Sequence, residues 1–342
     1  MATQNTRIVL ASRPQGDVRP ENFRRETAAA GEPADGQVLV RVVYLSLDPY
    51  MRPRMTEMNS YTPPFELDQP LTGGAVAEVV TSRSDRFRAG DIVIGMFGWE
   101  QYSIADARGL RKIEAAAAPL VAHLGLLGMP GYTAYHGMLR IGQPKPGETA
   151  FVSAATGAVG ALAGQLAKIR GARVVGCAGS DEKCDFAVKE LGYDACFNHS
   201  KERDYDAVLK ELCPKGIDVD FENVGGPIFH AVFRAMNNFG RIAMCGAISE
   251  YNDTTPQPWP EKMFTIIQRR LEIRGFIISD HLQSMGEFVR DVGGWIKEGR
   301  IRYRENMVEG LENAPDAFMG LLKGRNFGKL VVRVGAEPGA RS

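Results

Sequence analysis

From Thr149 onward, short apolar runs alternate with helical segments, and this alternation constrains the fold more than any other feature of the chain. "TAFVSA" reads as a strand and "AVGALAGQLAKIRG" as a helix ending at Gly171. "RVVGCA" is a second strand, and "SDEKCDFAVKELG" a helix ending at Gly192. "ACFNH", "IDVDFENVG", "RIAMCGAIS" and "LEIRGFIIS" are further strands, with helical patterns between most of them. Such alternation predicts an α/β fold, a doubly wound parallel sheet with helices on both faces. In the first helix Val159, Leu162, Ala163, Leu166 and Ala167 fall on one stripe, the face expected to pack on the sheet. The closing "NFGKLVVRV" reads as a lone strand returning to the first half of the chain.

The first strand runs into a glycine turn, Ala155-x-Gly157-x-x-Gly160, which opens a helix. That is the position of a dinucleotide-binding turn. Gly157 lets backbone approach a pyrophosphate, Gly160 lets the helix lie close to the sheet, and the helix N-terminus offers N–H groups to phosphate. Alanine at the first position is tolerable if that residue does not need a positive φ. The next strand bears on the cofactor. NAD enzymes place an acid at its end, about 20 residues after the first glycine. Here "RVVGCA" runs into Gly179 and Ser180, and Asp181 follows 26 residues after Ala155. Asp181 is better placed to cap or open the next helix. Gly179, Ser180 and cationic Lys183 make a pocket for a 2′-phosphate, favouring NADP over NAD.

Residues 1 to 130 read as β-rich, with "QVLVRVVYLSLD", "GGAVAEVVTS" and "GDIVIGMFGWEQYSI" separated by glycine and charged turns. A length of 342 residues fits two domains. We expect a β-rich domain over 1–130, completed by a return segment of about 306–342, and a nucleotide-binding domain over 131–305. Basic and acidic residues number 41 each, so nothing points to nucleic acid or an anionic membrane. No apolar run approaches the roughly 18 residues of a membrane span. The N-terminal "MATQNTRIVLASRP" does not read as a secretory signal. The five cysteines are odd in number and form no C-x-x-C, the usage of a cytoplasmic protein with reduced thiols.

A β-rich domain ahead of a nucleotide domain also describes zinc alcohol dehydrogenases, which need cysteine and histidine ligands in the first domain. Here the first cysteine is Cys177 and the first histidine His123. With no ligand set, we expect no metal. Carbonyl polarisation then falls to hydroxyls, backbone N–H groups or the cofactor. That argues against alcohol oxidation and leaves hydride addition to an activated C=C bond.

Several blocks carry a resemblance: "YLSLDPYMRPRM" (44–55), "LGMPGYTAYHGML" (127–139), "GAVGALAGQLAK" (157–168), "GSDEKC" (179–184), "DFENVGG" (220–226), "CGAISEYN" (245–252), "GFIIS" (275–279) and "LENAPDAFMGLLKGRNFGKLVVRV" (311–334). Over nearly its whole length the chain resembles zinc-independent medium-chain dehydrogenases/reductases of the prostaglandin and leukotriene reductase branch, with the bacterial curcumin/dihydrocurcumin reductases as nearest look-alikes. The resemblance implies a GroES-like β domain plus a Rossmann domain, a homodimer, and NADPH as cofactor. By it, Gly157, Ala158, Val159 and Gly160 match the pyrophosphate turn, and Lys183 the residue contacting the 2′-phosphate. Thr133, Asn223, Cys245, Gly246, Ala247, Ile248, Ser249, Phe276, Ile277, Ile278 and Asn326 match further cofactor contacts. Two departures stand out. His199 occupies a cofactor position where many relatives carry tyrosine. The tyrosine that some relatives carry just before "GF" is missing from "MFTIIQRRLEIRGF".

The expected reaction delivers hydride to the β-carbon of an α,β-unsaturated carbonyl. Charge develops on the carbonyl oxygen, and the α-carbon later takes a proton. The site needs a donor at that oxygen and an apolar slot. Tyr251, Tyr50 and Tyr61 are the candidate donors. Met55, Met58, Phe65, Met129 and Phe276 are candidates for the slot. His123, His136, His230 and His281 show no triad spacing and read as structural. Two other functions remain open: a quinone reductase of the same superfamily, and an NADPH-binding relative without turnover.

Overall fold

The computed structural model describes residues 3–57, 60–114, 118–255, 259 and 261–338. The chain divides into two compact units. One comprises Met1–Leu124, Glu305–Asn326 and Leu330–Ser342, the other Gly125–Arg304 and Phe327–Lys329.

The first unit is antiparallel. A hairpin joins β1 (Gln4–Leu10) to β2 (Phe23–Ala29). The strands β3 (Gln37–Ser46), β4 (Thr72–Ser82), β5 (Ile92–Gly98), β6 (Tyr102–Asp106) and β7 (Arg111–Lys112) follow, with the single turn α1 (Met51–Arg54) between β3 and β4. β3 is buried on both faces. Val38, Val40, Val42 and Leu45 enter one core, while Val43 and Tyr44 enter a smaller one. A register shift at Val42/Tyr44 accommodates the change of face.

The second unit opens with α2 (Met129–His136). It then runs β8 (Thr149–Val152), α3 (Gly160–Ile169), β9 (Arg173–Ala178), α4 (Asp181–Lys189), β10 (Ala195–Asn198), α5 (Tyr205–Leu212), β11 (Ile217–Glu222), α6 (Gly226–Ala235), β12 (Met236–Met244), α7 (Phe264–Arg269), β13 (Glu272–Gly275) and α8 (Met285–Lys297). The strands are parallel in the order β10-β9-β8-β11-β12-β13. The alternation read from the sequence therefore builds the expected doubly wound sheet, in the Rossmann order, with its direction reversing between β8 and β11. Leu162, Ala163, Leu166 and Ala167 of α3 are buried on one face with Phe288 and Val292 of α8. Leu209 of α5 and Ile228, Phe229 and Val232 of α6 are buried on the other.

The chain ends with β14 (Glu305–Glu309), α9 (Ala314–Leu322) and β15 (Lys329–Arg333). β15 pairs antiparallel with β3, so the closing strand does return to the first sheet.

Candidate active site

Ligands of open parallel sheets bind at the carboxyl ends of the strands where the order reverses. Three turns occupy that position here, after β8, β9 and β11.

The β8 turn is Ser153–Val159. Its left-handed residue is Ala154, at φ 51°, and neither Ala155 nor Gly157 has a positive φ. This explains why alanine is tolerated at the first fingerprint position. Ala155 is fully buried, and its methyl fills space that Gly176 of β9 leaves. A Cβ at Gly176 would lie 2.8 Å from that of Ala155. Gly160 is required by packing, since a Cβ there would lie 2.3 Å from the Ala154 carbonyl oxygen. Gly157 is under much weaker internal pressure, with its nearest clash at 3.3 Å. Its missing side chain leaves a cradle before α3. Partly exposed Ala158 and Val159 border it, immediately before the N-terminus of α3. No acid occupies the first turn of α3, so the field there favours an anion.

At the end of β9, Ser180 caps α4, its hydroxyl accepting from the Lys183 N–H at 3.3 Å. Asp181, expected to cap or open this helix, opens it as its first residue. Its carboxylate accepts from Asn198 at 2.7 Å and pairs with Lys201. Gly179 faces His199, whose Nε2 would lie 3.6 Å from a Cβ at position 179. Burial lowers the pKa of both Lys183 and His199, and the Lys183 charge lowers His199 further. Two half-buried basic groups, both held below their ordinary values by burial, are what a dianionic 2′-phosphate would stabilise.

At the end of β11 one carboxylate organises the turn. Glu222 Oε1 accepts from the Ser153 hydroxyl (2.9 Å), the Gly225 N–H (2.8 Å) and the Val224 N–H. Ser153 Oγ accepts from the Asn223 N–H (2.8 Å), and the Asn223 amide donates to the Ser153 carbonyl (2.8 Å). The β8 and β11 turns are thereby fastened together. Residues 245–249 are stitched onto them. Cys245 and Gly246 donate to the Glu222 carbonyl, Ile248 to that of Asn223, and Ser249 to that of Val224. Ala247 lies within the same loop. A Cβ at Gly246 would lie 3.4 Å from the Tyr251 hydroxyl, so Tyr251 stands beside Asn223 and Gly246 as the motif order implies. Burial pushes the Cys245 thiol up to about 12, with Glu222 adding to the shift, so this cysteine is a packed thiol.

The remaining predicted positions separate. In the second unit, Thr133 is partly exposed, with its hydroxyl donating to the Met129 carbonyl at 2.8 Å. Met129 is 40% exposed and available as lining. Phe276 packs edge-on against Phe221, and it joins Ile278 at the rim of the core, beside partly exposed Ile277. His136 and His281, read as structural, stack with ring centroids 3.9 Å apart. Burial, with His281 adding to it, lowers His136 to about 4. In the first unit, Tyr50 is partly exposed, Tyr61 is 57% exposed and Asn326 is partly exposed. Two expectations there need correction. Met55 is fully buried and Phe65 is 4% exposed, both in the first core, so they offer no lining surface. Apolar residues flanking a proline-rich loop fold inward to cover the sheet. Met58 lies outside the described residues. Among the described residues, no three His, Cys, Asp or Glu side chains gather as a metal site.

Sequence reasoning missed Arg54, the Glu222–Ser153 clamp and Gly164, where a Cβ would run into Tyr193. The clamp had a signal: an acid in the last position of a strand directly before Asn-Val-Gly-Gly.

A family model described as the N-terminal domain of oxidoreductase matches residues 6–113, and one described as zinc-binding dehydrogenase matches 158–292. NADPH-dependent curcumin reductase of Escherichia coli K12 is 49% identical over 339 residues, 98% of each chain. Prostaglandin reductase 1 of Rattus norvegicus is 42% identical over 326 residues, covering 93% of this chain and 96% of that one. The chain belongs to the prostaglandin reductase branch of the medium-chain dehydrogenases/reductases. A solved structure of that group, CurA in complex with NADPH from Vibrio vulnificus, superimposes with a TM-score of 0.93. It is 45% identical and covers 97% of this chain and 100% of its own.

Proposed function

We propose that this protein uses NADPH to reduce the C=C bond of α,β-unsaturated carbonyl compounds, curcumin-like or prostaglandin-like enones and enals, without a metal. The observation that carries the reading is the end of β9. It closes in Gly179 and Ser180 rather than an acid, Asp181 is engaged by Asn198 and Lys201, His199 stands against Gly179, and the Lys183 charge acts on His199. The curcumin and prostaglandin reductases at 49% and 42% identity supply the substrate class.

Bound NADPH supplies the hydride. The first turn of α3 and the Gly157 cradle hold the pyrophosphate, Lys183 and His199 the 2′-phosphate, and Asn223 with residues 245–249 the nicotinamide end. Phe276, Ile277, Ile278 and Asn326 complete the contacts. A tyrosine hydroxyl, with Tyr251 foremost and Tyr50 and Tyr61 behind it, donates to the carbonyl oxygen as charge develops there. The α-carbon then takes a proton from solvent.

Following NADPH loss with 2-nonenal or curcumin, and in parallel with menadione, tests the reading. Turnover on the enal with little on menadione is the expected result. Faster menadione reduction would make the protein a quinone reductase, and tight NADPH binding without any turnover a sensor.

The protein also works as a homodimer on this reading. β13 is an open sheet edge, exposed at every residue, with Phe264 and Ile267 exposed in the same part of the unit. A reducing cytoplasmic setting accords with five free thiols.

A further inference from the structure

Arg54 ends α1, one turn after Tyr50, and is half-buried. Its Nε donates to the Pro63 carbonyl at 2.9 Å and its Nη1 to the Thr72 hydroxyl at 3.3 Å. Its guanidinium lies 4.0 Å above the Phe65 ring, and its own carbonyl accepts from the Phe65 N–H at 2.7 Å. One side chain thus ties α1 to the segment carrying Tyr61 and to the start of β4. None of these partners carries a negative charge. Among the described residues no carboxylate pairs with Arg54, and the ionisable groups acting on it are Tyr50 and Tyr61. Burial costs the guanidinium part of its hydration, and that cost is accepted without a counter-ion. Burial and Asp48 push the Tyr50 hydroxyl well up, and Arg54 opposes that shift.

We infer that Arg54 is a positioning residue for the reduction. It holds the Tyr61–Phe65 segment against Tyr50 and lends the two phenols a positive charge that makes them stronger hydrogen-bond donors to an oxygen gaining negative charge. The inference rests on the enone-reductase reading with Tyr50 or Tyr61 at the carbonyl oxygen. A donor strengthened by a neighbouring cation matters most when the product anion is basic, as an enolate is. A nitroalkene takes hydride to give a nitronate, a weakly basic anion that needs little help from a donor.

The experiment compares trans-4-phenyl-3-buten-2-one with β-nitrostyrene in the full-length protein carrying Arg54→Gln or Arg54→Lys. Gln keeps an amide donor for Pro63 and removes the charge, whereas Lys keeps the charge and loses the planar stack on Phe65. Arg54→Gln is expected to lower kcat on the enone about tenfold or more and on the nitroalkene less than threefold, with KM for NADPH unchanged. Arg54→Lys is expected to keep the wild-type ratio between the two substrates. Equal losses on both substrates with Arg54→Gln would reduce Arg54 to a loop staple and overturn the inference. A ratio that shifts with Arg54→Lys as it does with Arg54→Gln would overturn it too. A wild-type protein that binds NADPH but turns over neither substrate would sink the reductase reading itself, a result distinct from either.

Discussion

Gly157 and Gly160 carry the same residue type for different physical reasons, and substitution separates them. A methyl at Gly160 meets the Ala154 carbonyl at 2.3 Å, a backbone atom of a turn already in the left-handed region. Gly160→Ala should cost about 1–3 kcal/mol of stability, read as a lowered Tm with or without cofactor. A methyl at Gly157 meets that oxygen only at 3.3 Å. Gly157→Ala should leave the Tm of the free protein nearly unchanged and raise KM for NADPH. Equal Tm losses in the two variants would show that Gly157 serves packing alone. Lys183 tests the other end of the cofactor. Lys183→Ala should raise KM for NADPH about tenfold or more and KM for NADH less than twofold, because only NADPH carries the 2′-phosphate. Equal effects on both would refute the assignment. These positions were legible because the chemistry they serve has a fixed spacing. The exchange of Ala155 with Gly176 was not, because nothing in either local sequence says which strand residue faces the turn.

β11 shows where pattern reading stops. "IDVDFE" alternates polar and apolar residues, which reads as a half-exposed strand. The strand is instead central, and Asp220 and Glu222 are fully buried. Glu222 is compensated through Oε1. Asp220 sits in register with Phe151 and Ile242 on its neighbours, and neither of its oxygens has a hydrogen-bond partner among the described residues. Burial raises both carboxyls, and the Glu222 charge raises Asp220 further. The folded state therefore binds more protons than the unfolded chain above the ordinary carboxyl range. Stability must fall as pH rises from about 4 toward neutrality and beyond. Asp220→Val removes the unpaired carboxyl and suits a strand. It should stabilise the protein by about 1–3 kcal/mol, with a larger gain in Tm at pH 8 than at pH 5. It should also leave Glu222 free to ionise beneath the Val224 and Gly225 N–H groups, so KM for NADPH should not rise. A gain independent of pH would mean that Asp220 carries no titration of this kind. Long-range pairing of this sort, like the Ser153–Glu222 clamp 69 residues apart, has no local signature. The strands themselves, being periodic, do.

At the scale of the molecule, the alternation of strand and helix dictated the parallel sheet, and the return of β15 to β3 followed from a lone apolar segment after the last helix. What the alternation could not say is how the sheet ends. β10 closes one edge and β13 the other, and β13 is exposed at every residue. An open edge offers unpaired N–H and C=O groups and calls for protection by charge, by covering elements or by another chain. The surroundings of β13 are poorly suited to water: Phe264 is 65% exposed, Ile267 69% and Phe239 62%. Apolar side chains grouped beside an open edge are the surface on which a second copy would pair. Sedimentation of the wild type should give twice the 37.4 kDa chain mass. Ile267→Lys places a charge in that surface at a position already in water, so the folded monomer has little to lose. The variant should sediment as a monomer, with circular dichroism matching the wild type and NADPH still bound through the turns after β8, β9 and β11. A variant that remains a dimer would move the interface away from this edge, and a monomeric wild type would remove the dimer altogether.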